Sequence, residues 1–271
     1  MPNDTLVVPI SDLHSGGTTA LFPNHFVQFK HANRKPTREQ KAMFKHWSFC
    51  ADKVAEARKG KKLIIVHDGD AIEGFHHNSH QVITMLENEQ IDIHVELMRH
   101  FKKVVGFSGN DEIHYLAATE VHTGGNEEEC GRQVGATQND LGFYSSDELR
   151  LSINGKMLWF SHHGPTAGKG ANAGNAQRNF LRDLFYDCIK HGVTVPDFIT
   201  TAHTHIPFYN TYIQKHNGKY YVVRGLICPS WQQKTRFAHK VAPLSVNEIG
   251  LQYFTVSKDG MISDPVEWIM R

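Results

Sequence analysis

The most constraining feature of this sequence is a series of short apolar runs, each followed closely by Asp, Asn or His. The run 5–10 leads into Asp12 and His14, and the run 63–66 leads into Asp70. Apolar runs of this length without polar alternation are typical of strands that are buried on both faces. The sequence therefore predicts a buried parallel sheet whose strands end in candidate ligand residues.

Helical patterns separate these runs in the first half of the chain. A capping box at Thr37 and Gln40 begins a helical pattern that Gly60 ends. A second helix is predicted over 82–101, and a third strand over 104–107. The order strand, helix, strand, helix, strand is typical of parallel strands joined by crossover helices.

The second half of the chain begins with a predicted hairpin over 149–160. Its centre is an Asn-Gly pair, which suits a tight type I′ turn. The hairpin ends in His162 and His163. A helix is predicted over 176–191 and another strand over 197–201, so the fold class is α/β with more than one sheet.

Composition limits the remaining possibilities. The 271 residues, 40% of them hydrophobic, predict a single domain over 1–271, and the net charge of +1 gives no overall basic field. The four cysteines form no CxxC pair, which favours reduced thiols. We expect a cytoplasmic protein with no membrane partner, because no signal peptide or long apolar run is evident. The oligomeric state is not predicted.

The polar residues that follow the strands suit a shared metal site. In open α/β sheets, ligand sites form beyond the carboxyl ends of the strands. Carboxylate, amide and imidazole donors suit manganese, iron or zinc, and the absence of thiolate argues against a structural zinc site. The candidates are Asp12, His14, Asp70, Asn110, either His162 or His163, His203 and His205.

In this order, the motifs Asp-x-His, Gly-Asp, Gly-Asn, His-Gly and x-His-x-His resemble the calcineurin-like metallophosphoesterase superfamily. The resemblance extends from Asp12 to His205. It implies a four-layer α/β/β/α sandwich of two mixed β-sheets with helices on both outer faces. The segment 164–237 also resembles uncharacterised proteins carried by phages and prophages, which would place the protein in a host cytoplasm.

The resemblance also implies two divalent metal ions, with Mn²⁺ expected and iron, zinc or nickel as alternatives. Such ions share a hydroxide that attacks phosphorus. The implied ligands are Asp12, His14 and His205 for one ion, Asn110, His163 and His203 for the other, and Asp70 as the bridge. His162 is the alternative to His163.

The third motif departs from the family pattern, in which Gly-Asn is followed by a catalytic His. Here the sequence 109–111 is Gly-Asn-Asp. Asp111 could serve as the acid, His114 could take its place, or no acid acts and the leaving group must be a good one. Family members without this His tend to favour phosphodiesters. The sequence therefore favours a phosphodiesterase or nuclease acting on nucleic acid or a nucleotide; the alternatives are a phosphomonoesterase or protein phosphatase, and a non-catalytic scaffold.

Two further residues are candidates for binding substrate. Lys169 lies in a Gly-rich loop that could offer backbone N–H groups to a phosphate, although the loop could equally be a hinge. Arg178 follows on the next helix, where it could meet a phosphate or lie on a solvated face. The segment 229–237 mixes aromatic and basic side chains, which could stack on bases or pack in the core.

Overall fold

The computed structural model describes residues 3–25, 27–28, 33–75, 81–118, 126–168, 170–235 and 247–270. The strands there are β1 (Thr5–Ile10), β2 (Val27–Gln28), β3 (Asn33–Arg34), β4 (Lys62–Asp68), β5 (Glu112–Leu116), β6 (Leu149–Ile153), β7 (Lys156–Phe160), β8 (Phe198–Thr201), β9 (Phe208–His216), β10 (Lys219–Ile227), β11 (Gly250–Val256) and β12 (Val266–Ile269). The α-helices are α1 (Arg38–Arg58), α2 (Glu87–Val104), α3 (Asn126–Val134) and α4 (Asn175–His191). A short 3₁₀ turn spans Gly170–Asn172.

Ten of these strands form two mixed five-stranded sheets. The first has the order β12-β11-β1-β4-β5, and β1, β4 and β5 run parallel. The second has the order β6-β7-β8-β10-β9, with β7, β8 and β10 parallel. Each sheet is completed by antiparallel strands, which are β11 and β12 in the first sheet and β6 and β9 in the second.

Alternation along the strands sorts the core into layers. In β1, Leu6 packs in the cluster that contains Trp47 of α1, whereas Val7 packs in the cluster shared with the second sheet. On the far side of the second sheet, Leu181 of α4 packs against Ile199. The layers therefore run helices, sheet, sheet, helix, and the predicted four-layer sandwich is confirmed.

Local signals placed several elements correctly. Thr37 and Gln40 form both hydrogen bonds of a capping box at the start of α1. Asn154 and Gly155 both have positive φ, at 50° and 77°, as the hairpin turn between β6 and β7 requires. No described helix combines the length and the apolar character that a membrane span needs.

The predicted strand over 104–107 is wrong. Val104 is the last residue of α2, Val105 is its C-cap, and the chain then turns through Gly106 at a φ of 66°. Both valines pack against the core cluster beneath α2, so burial at the helix end outweighs the preference of β-branched residues for strands. The next strand of the sheet is β5, which begins eight residues later, at Glu112.

Candidate metal centre

Four strand ends converge at one rim of the sandwich. The residues that follow β1, β4, β7 and β8 come together there, although they are up to 193 positions apart in the chain. We call this group the rim cluster, and its members are Asp12, His14, Asp70, His162, His163, His203 and His205.

The backbone of the rim cluster is strained. Of the seven non-glycine residues with positive φ in the described part of the chain, five belong to the cluster, and the other two are asparagines in hairpin turns. These five are Asp12, His14, Asp70, His203 and His205, with φ between 45° and 67°. Each such conformation costs roughly 1–3 kcal/mol, and strain of this kind concentrates at functional sites.

Neighbouring loops hold this backbone in place. The N–H groups of Asp12 and His14 donate to the carbonyl groups of Gly69 and Asp70, at 3.1 and 2.9 Å. The carbonyl group of Asp12 accepts from the N–H of Trp231 at 3.0 Å. The two ligand-bearing loops of the first sheet are thus cross-linked to each other through their main chains.

The first group within the cluster consists of Asp12, His14 and His205. Asp12 is fully buried, and its Oδ1 lies 3.0 Å from Nε2 of His205 and 3.8 Å from Nε2 of His14. The backbone N–H of His203 donates to the other oxygen of Asp12 at 3.2 Å. Ligand atoms about 2.0–2.2 Å from one ion lie roughly 3 Å apart, so this spacing is compatible with a shared ion.

Asp70 lies between this group and the other histidines. Its Oδ2 is 3.5 Å from Nε2 of His14, 3.2 Å from Nε2 of His162 and 3.8 Å from Nδ1 of His203. All three contacts are made by this one oxygen, and the other oxygen, Oδ1, is buried without a hydrogen-bond partner in the described part of the chain. Asp70 is thus within reach of both groups of histidines.

Both of the adjacent histidines that follow β7 reach the cluster. His162 is buried, and its Nδ1 donates to the carbonyl group of Asp68 at 2.6 Å. His163 is exposed, and its ring centroid lies 4.6 Å from that of His203. One ring nitrogen from each of these three histidines lies within 4.8 Å of the others. The sequence offered His162 and His163 as alternatives, but the structure brings both together.

The carboxylates and histidines of the rim cluster strongly change one another's pKa values. Burial by itself would raise the pKa of Asp12, but His205 and His14 lower that pKa well below its usual range. Asp70 is affected in the same way by His14 and His162. Burial lowers the pKa of His162, but the carboxylate of Asp70 beside it raises it to about 10. The carboxylates are therefore ionised, and a cation bound here would displace protons from the histidines.

Unsatisfied polar atoms test whether these residues fit a metal. Asp70 Oδ1, His14 Nε2 and His162 Nε2 are buried and make no hydrogen bond within the described part of the chain. Buried polar atoms without partners are rare in proteins and call for an explanation. Divalent cations accept carboxylate and imidazole donors together, so the residues present fit such ions.

Asn110 does not reach the rim cluster, and its prediction as a metal ligand is wrong. It precedes β5, which runs parallel to β4 with Glu112 opposite Ile64, whereas Asp70 follows the carboxyl end of β4. The five residues of β5, at about 3.3 Å each, separate the amino edge of the sheet from its carboxyl edge by roughly 16 Å. Asn110 lines a depression there with Thr5 at the start of β1.

The two predicted catalytic residues also lie away from the cluster. Asp111 is buried at the amino edge, where its carboxylate pairs with Arg58 at 2.6 Å and accepts the N–H of Leu63 at 2.9 Å. His114 lies within β5, with its Nε2 3.1 Å from Glu112. Neither is placed to donate a proton at the rim. Their assignment as catalytic residues is wrong for the same reason as that of Asn110, the misplaced third strand.

The predicted substrate-binding residues gain no support from the structure. Arg178 is exposed on the first turn of α4, and its charge acts on Tyr212 of β9. Lys169 lies outside the described residues. Trp231, in the segment that mixed aromatic and basic residues, is buried against Trp47 at a ring distance of 4.7 Å and so packs in the core.

Two residues behind the histidines were missed by sequence reasoning. Glu73 Oε2 lies 3.2 Å from Nδ1 of His14. Asn247 Nδ2 lies 2.8 Å from Nδ1 of His205 and donates to the carbonyl group of Gln232 at 3.2 Å. The position of Glu73, three residues after Asp70, was a usable signal. The contact of Asn247 spans 42 positions and had no local signal.

Comparisons with known proteins give low similarities. No protein-family model matches the sequence, and neither does any curated protein sequence. A predicted phosphoesterase from Streptococcus pneumoniae is 10% identical over 100% of both chains, with a TM-score of 0.34. A metallophosphoesterase from Sphaerobacter thermophilus is 10% identical over 99% of this chain and 89% of that one, with a TM-score of 0.36.

The chain is also similar to a 5′-nucleotidase from Candida albicans, at 10% identity and a TM-score of 0.37. That similarity covers 98% of this chain and 51% of the nucleotidase.

Proposed function

We propose that this protein is a phosphoesterase that binds two divalent metal ions at the rim cluster and hydrolyses phosphodiesters. The observation that supports this most is the position of Asp70, whose Oδ2 lies within 3.8 Å of His14, of His162 and of His203. A carboxylate between two histidine groups on strained loops is an arrangement that two neighbouring ions would use.

Each member of the cluster then has a role. Asp12, His14 and His205 would hold one ion at what we call the first position, His163 and His203 would hold the other at the second position, and Asp70 would contact both. When bound, such ions activate water and neutralise charge at phosphorus. We expect Mn²⁺ to support activity, with iron, zinc and nickel as alternatives. His163 and His203 are exposed, so they stand on the side from which a substrate can enter.

Asp111 does not lie at the rim, so the proposed preference for phosphodiesters is based instead on the charges around the cluster. The largest electrostatic effects on Asp12 and Asp70 come from histidines, with no lysine or arginine among them in the described part. A monoester carries up to two negative charges, whereas a diester carries one and needs fewer cations beside the ions. Nucleic acids and nucleotides contain this group, and we propose them as natural substrates.

Hydrolysis assays on metal-stripped protein test the proposal. With Mn²⁺ added, we expect a bis-aryl phosphodiester to be cleaved faster than an aryl phosphomonoester. Asp70→Asn should bind both ions more weakly and lose turnover, because the amide offers one oxygen and no charge. The matched control is Asp52→Asn on the exposed face of α1, which should behave as the unaltered protein.

Each alternative predicts a different result. Faster cleavage of the monoester would replace the diesterase with a phosphomonoesterase or protein phosphatase. Metal binding without turnover of any ester would identify a non-catalytic scaffold. Unchanged metal content in Asp70→Asn would show that the bridge is wrongly assigned.

A further inference from the structure

We infer that the second metal position is a nitrogen-rich site in which His162, His163 and His203 bind one ion together with Asp70. This inference rests on the proposed function and specifies one of its two metal positions. His162 takes the place that the sequence resemblance gave to Asn110. The consequence is a centre whose two positions differ in how strongly they favour zinc over manganese.

The second metal position has fewer ligands among the described residues than the sequence resemblance implied. Asn110 was expected to supply an amide oxygen there, and it lies at the opposite edge of the sheet, beside Thr5. Within the described residues, His163 and His203 with Asp70 make three donors. A fourth protein donor would complete a tetrahedral set.

His162 is already oriented to be that donor. Its Nε2 lies 3.2 Å from the carboxylate of Asp70, and its Nδ1 donates to the carbonyl group of Asp68 at 2.6 Å. A hydrogen bond from one ring nitrogen to a carbonyl group leaves the lone pair of the other nitrogen available to a metal. The ring also rests on Gly69, where an added Cβ would lie 2.3 Å from Nδ1. It is thus held from two sides.

The three histidines converge in a way that suits one ion. Their ring centroids lie 4.9, 5.3 and 4.6 Å apart, and the rings are inclined to each other by 72°, 73° and 71°. Each offers one nitrogen within 4.8 Å of the other two. Rings that only packed together would not need their nitrogens to face one another.

Exchanging an amide oxygen for an imidazole changes which ion is preferred. Imidazole suits zinc, iron and nickel, whereas oxygen donors suit magnesium and manganese. The second position would have three imidazoles and one carboxylate. The first position would have the carboxylates of Asp12 and Asp70 with two imidazoles, so it should accept manganese more readily.

Metal binding tests this inference without relying on turnover. Stripped protein is titrated with Zn²⁺ and, separately, with Mn²⁺, which gives the affinity of each position for each ion. We expect zinc to bind more tightly than manganese at both positions, and by the larger factor at the second. His162→Asn removes a direct ligand, so it should weaken zinc binding at the second position by at least about 10-fold, the effect of losing an outer hydrogen-bond partner. It should also make that position less selective for zinc over manganese.

The matched control is His114→Asn, which removes a histidine of β5 that pairs with Glu112 and should leave both affinities unchanged. If His162→Asn binds both metals as the unaltered protein does, the inference is overturned and the phosphoesterase proposal stands. If the unaltered protein binds no metal, both fail.

A second measurement covers the case in which His162→Asn does not fold. X-ray absorption of the unaltered protein loaded with one equivalent of zinc reports how many imidazoles surround the ion. Three imidazoles support the inference, and two or fewer overturn it.

Discussion

Glu73 and His14 form a buried pair behind the first metal position. Oε2 of Glu73 lies 3.2 Å from Nδ1 of His14, and the same oxygen accepts a hydrogen bond from Gln232 Nε2 at 2.5 Å. The carbonyl group of Gln232 in turn accepts from Asn247, which contacts His205. One connected set of side chains therefore supports the outer nitrogens of both histidines, and partners of this kind orient metal ligands.

Glu73→Gln should reduce the affinity of the first metal position by about 10–100-fold, because the carboxylate that orients His14 is replaced by a neutral amide. The change keeps the shape of the side chain, so folding should be little affected. Titration of stripped protein with Mn²⁺ checks the prediction.

The matched control is Glu112→Gln, which alters a glutamate that pairs with His114 at the other end of the sheet. That variant should bind metal normally. Equal metal affinities for Glu73→Gln and Glu112→Gln would show that Glu73 does not position His14.

The third predicted ligand segment, which contains Asn110, is the one whose position was wrongly predicted from the sequence. The pair Val104-Val105 followed by a glycine predicts a short strand, and a strand there would place Asn110 at the rim. In the structure the same valines close α2, and β5 begins only at Glu112. The choice depends on what the valines pack against, which a local pattern does not contain. Asn110 and Asp111 therefore lie before the strand instead of after it.

Asp111→Ala should destabilise the fold without affecting the metal centre. Its carboxylate is buried, pairs with Arg58 and accepts the backbone N–H of Leu63. Removing it leaves the N–H of Leu63 without its acceptor and takes one of several partners from Arg58, at a cost of about 1–3 kcal/mol. Urea unfolding of Asp111→Ala and of the surface control Asp52→Ala measures the difference. Loss of bound metal in a folded Asp111→Ala would return this residue to the site.

Features that depend on neighbouring residues could be predicted from the sequence. The capping box at Thr37, the Asn154-Gly155 turn and the glycine that ends α1, Gly60, all appear where expected. Four of the five segments that were predicted to bear ligands also reach the rim. Contacts such as that of Asn247 with His205 could not be predicted, because they depend on how distant loops pack.

Gly69→Ala should displace His162, whereas Gly60→Ala should not. Both glycines have positive φ, at 82° and 78°, so both substitutions strain the backbone by about 1 kcal/mol. Only at Gly69 would the added Cβ meet a side chain, the ring of His162, and at Gly60 it would meet open space. Comparing the two variants therefore separates backbone strain from the contact with the ring.

We expect Gly69→Ala to lose zinc from the second position and to unfold at a lower urea concentration than Gly60→Ala. Zinc content after dialysis and urea midpoints give the two measurements. If the two variants retain zinc equally, the contact of His162 with Gly69 is not required for zinc binding at the second position.

His94 makes the fold sensitive to acid. It is fully buried on α2, with Nδ1 3.1 Å from the carbonyl group of Ala71 and Nε2 2.8 Å from the hydroxyl of Tyr115. Burial lowers its pKa from 6.5 to about 3, and the hydrogen bond to Ala71 opposes this only in part. The unfolded chain therefore binds one more proton than the folded protein between these two values.

The sign of the effect follows from linkage. The stability that neutral His94 contributes is fully present above pH 6.5 and is lost as the pH falls towards 3, by about 1.4 kcal/mol per unit. Between pH 6.5 and 5.5, where the unfolded histidine goes from half to almost fully protonated, His94→Gln should therefore lose about 1 kcal/mol less than the unaltered protein, whatever its stability at neutral pH. His191→Gln, at the exposed end of α4, should keep the original slope. Urea unfolding of metal-stripped protein at constant ionic strength measures these slopes, and equal slopes for all three proteins would contradict the prediction.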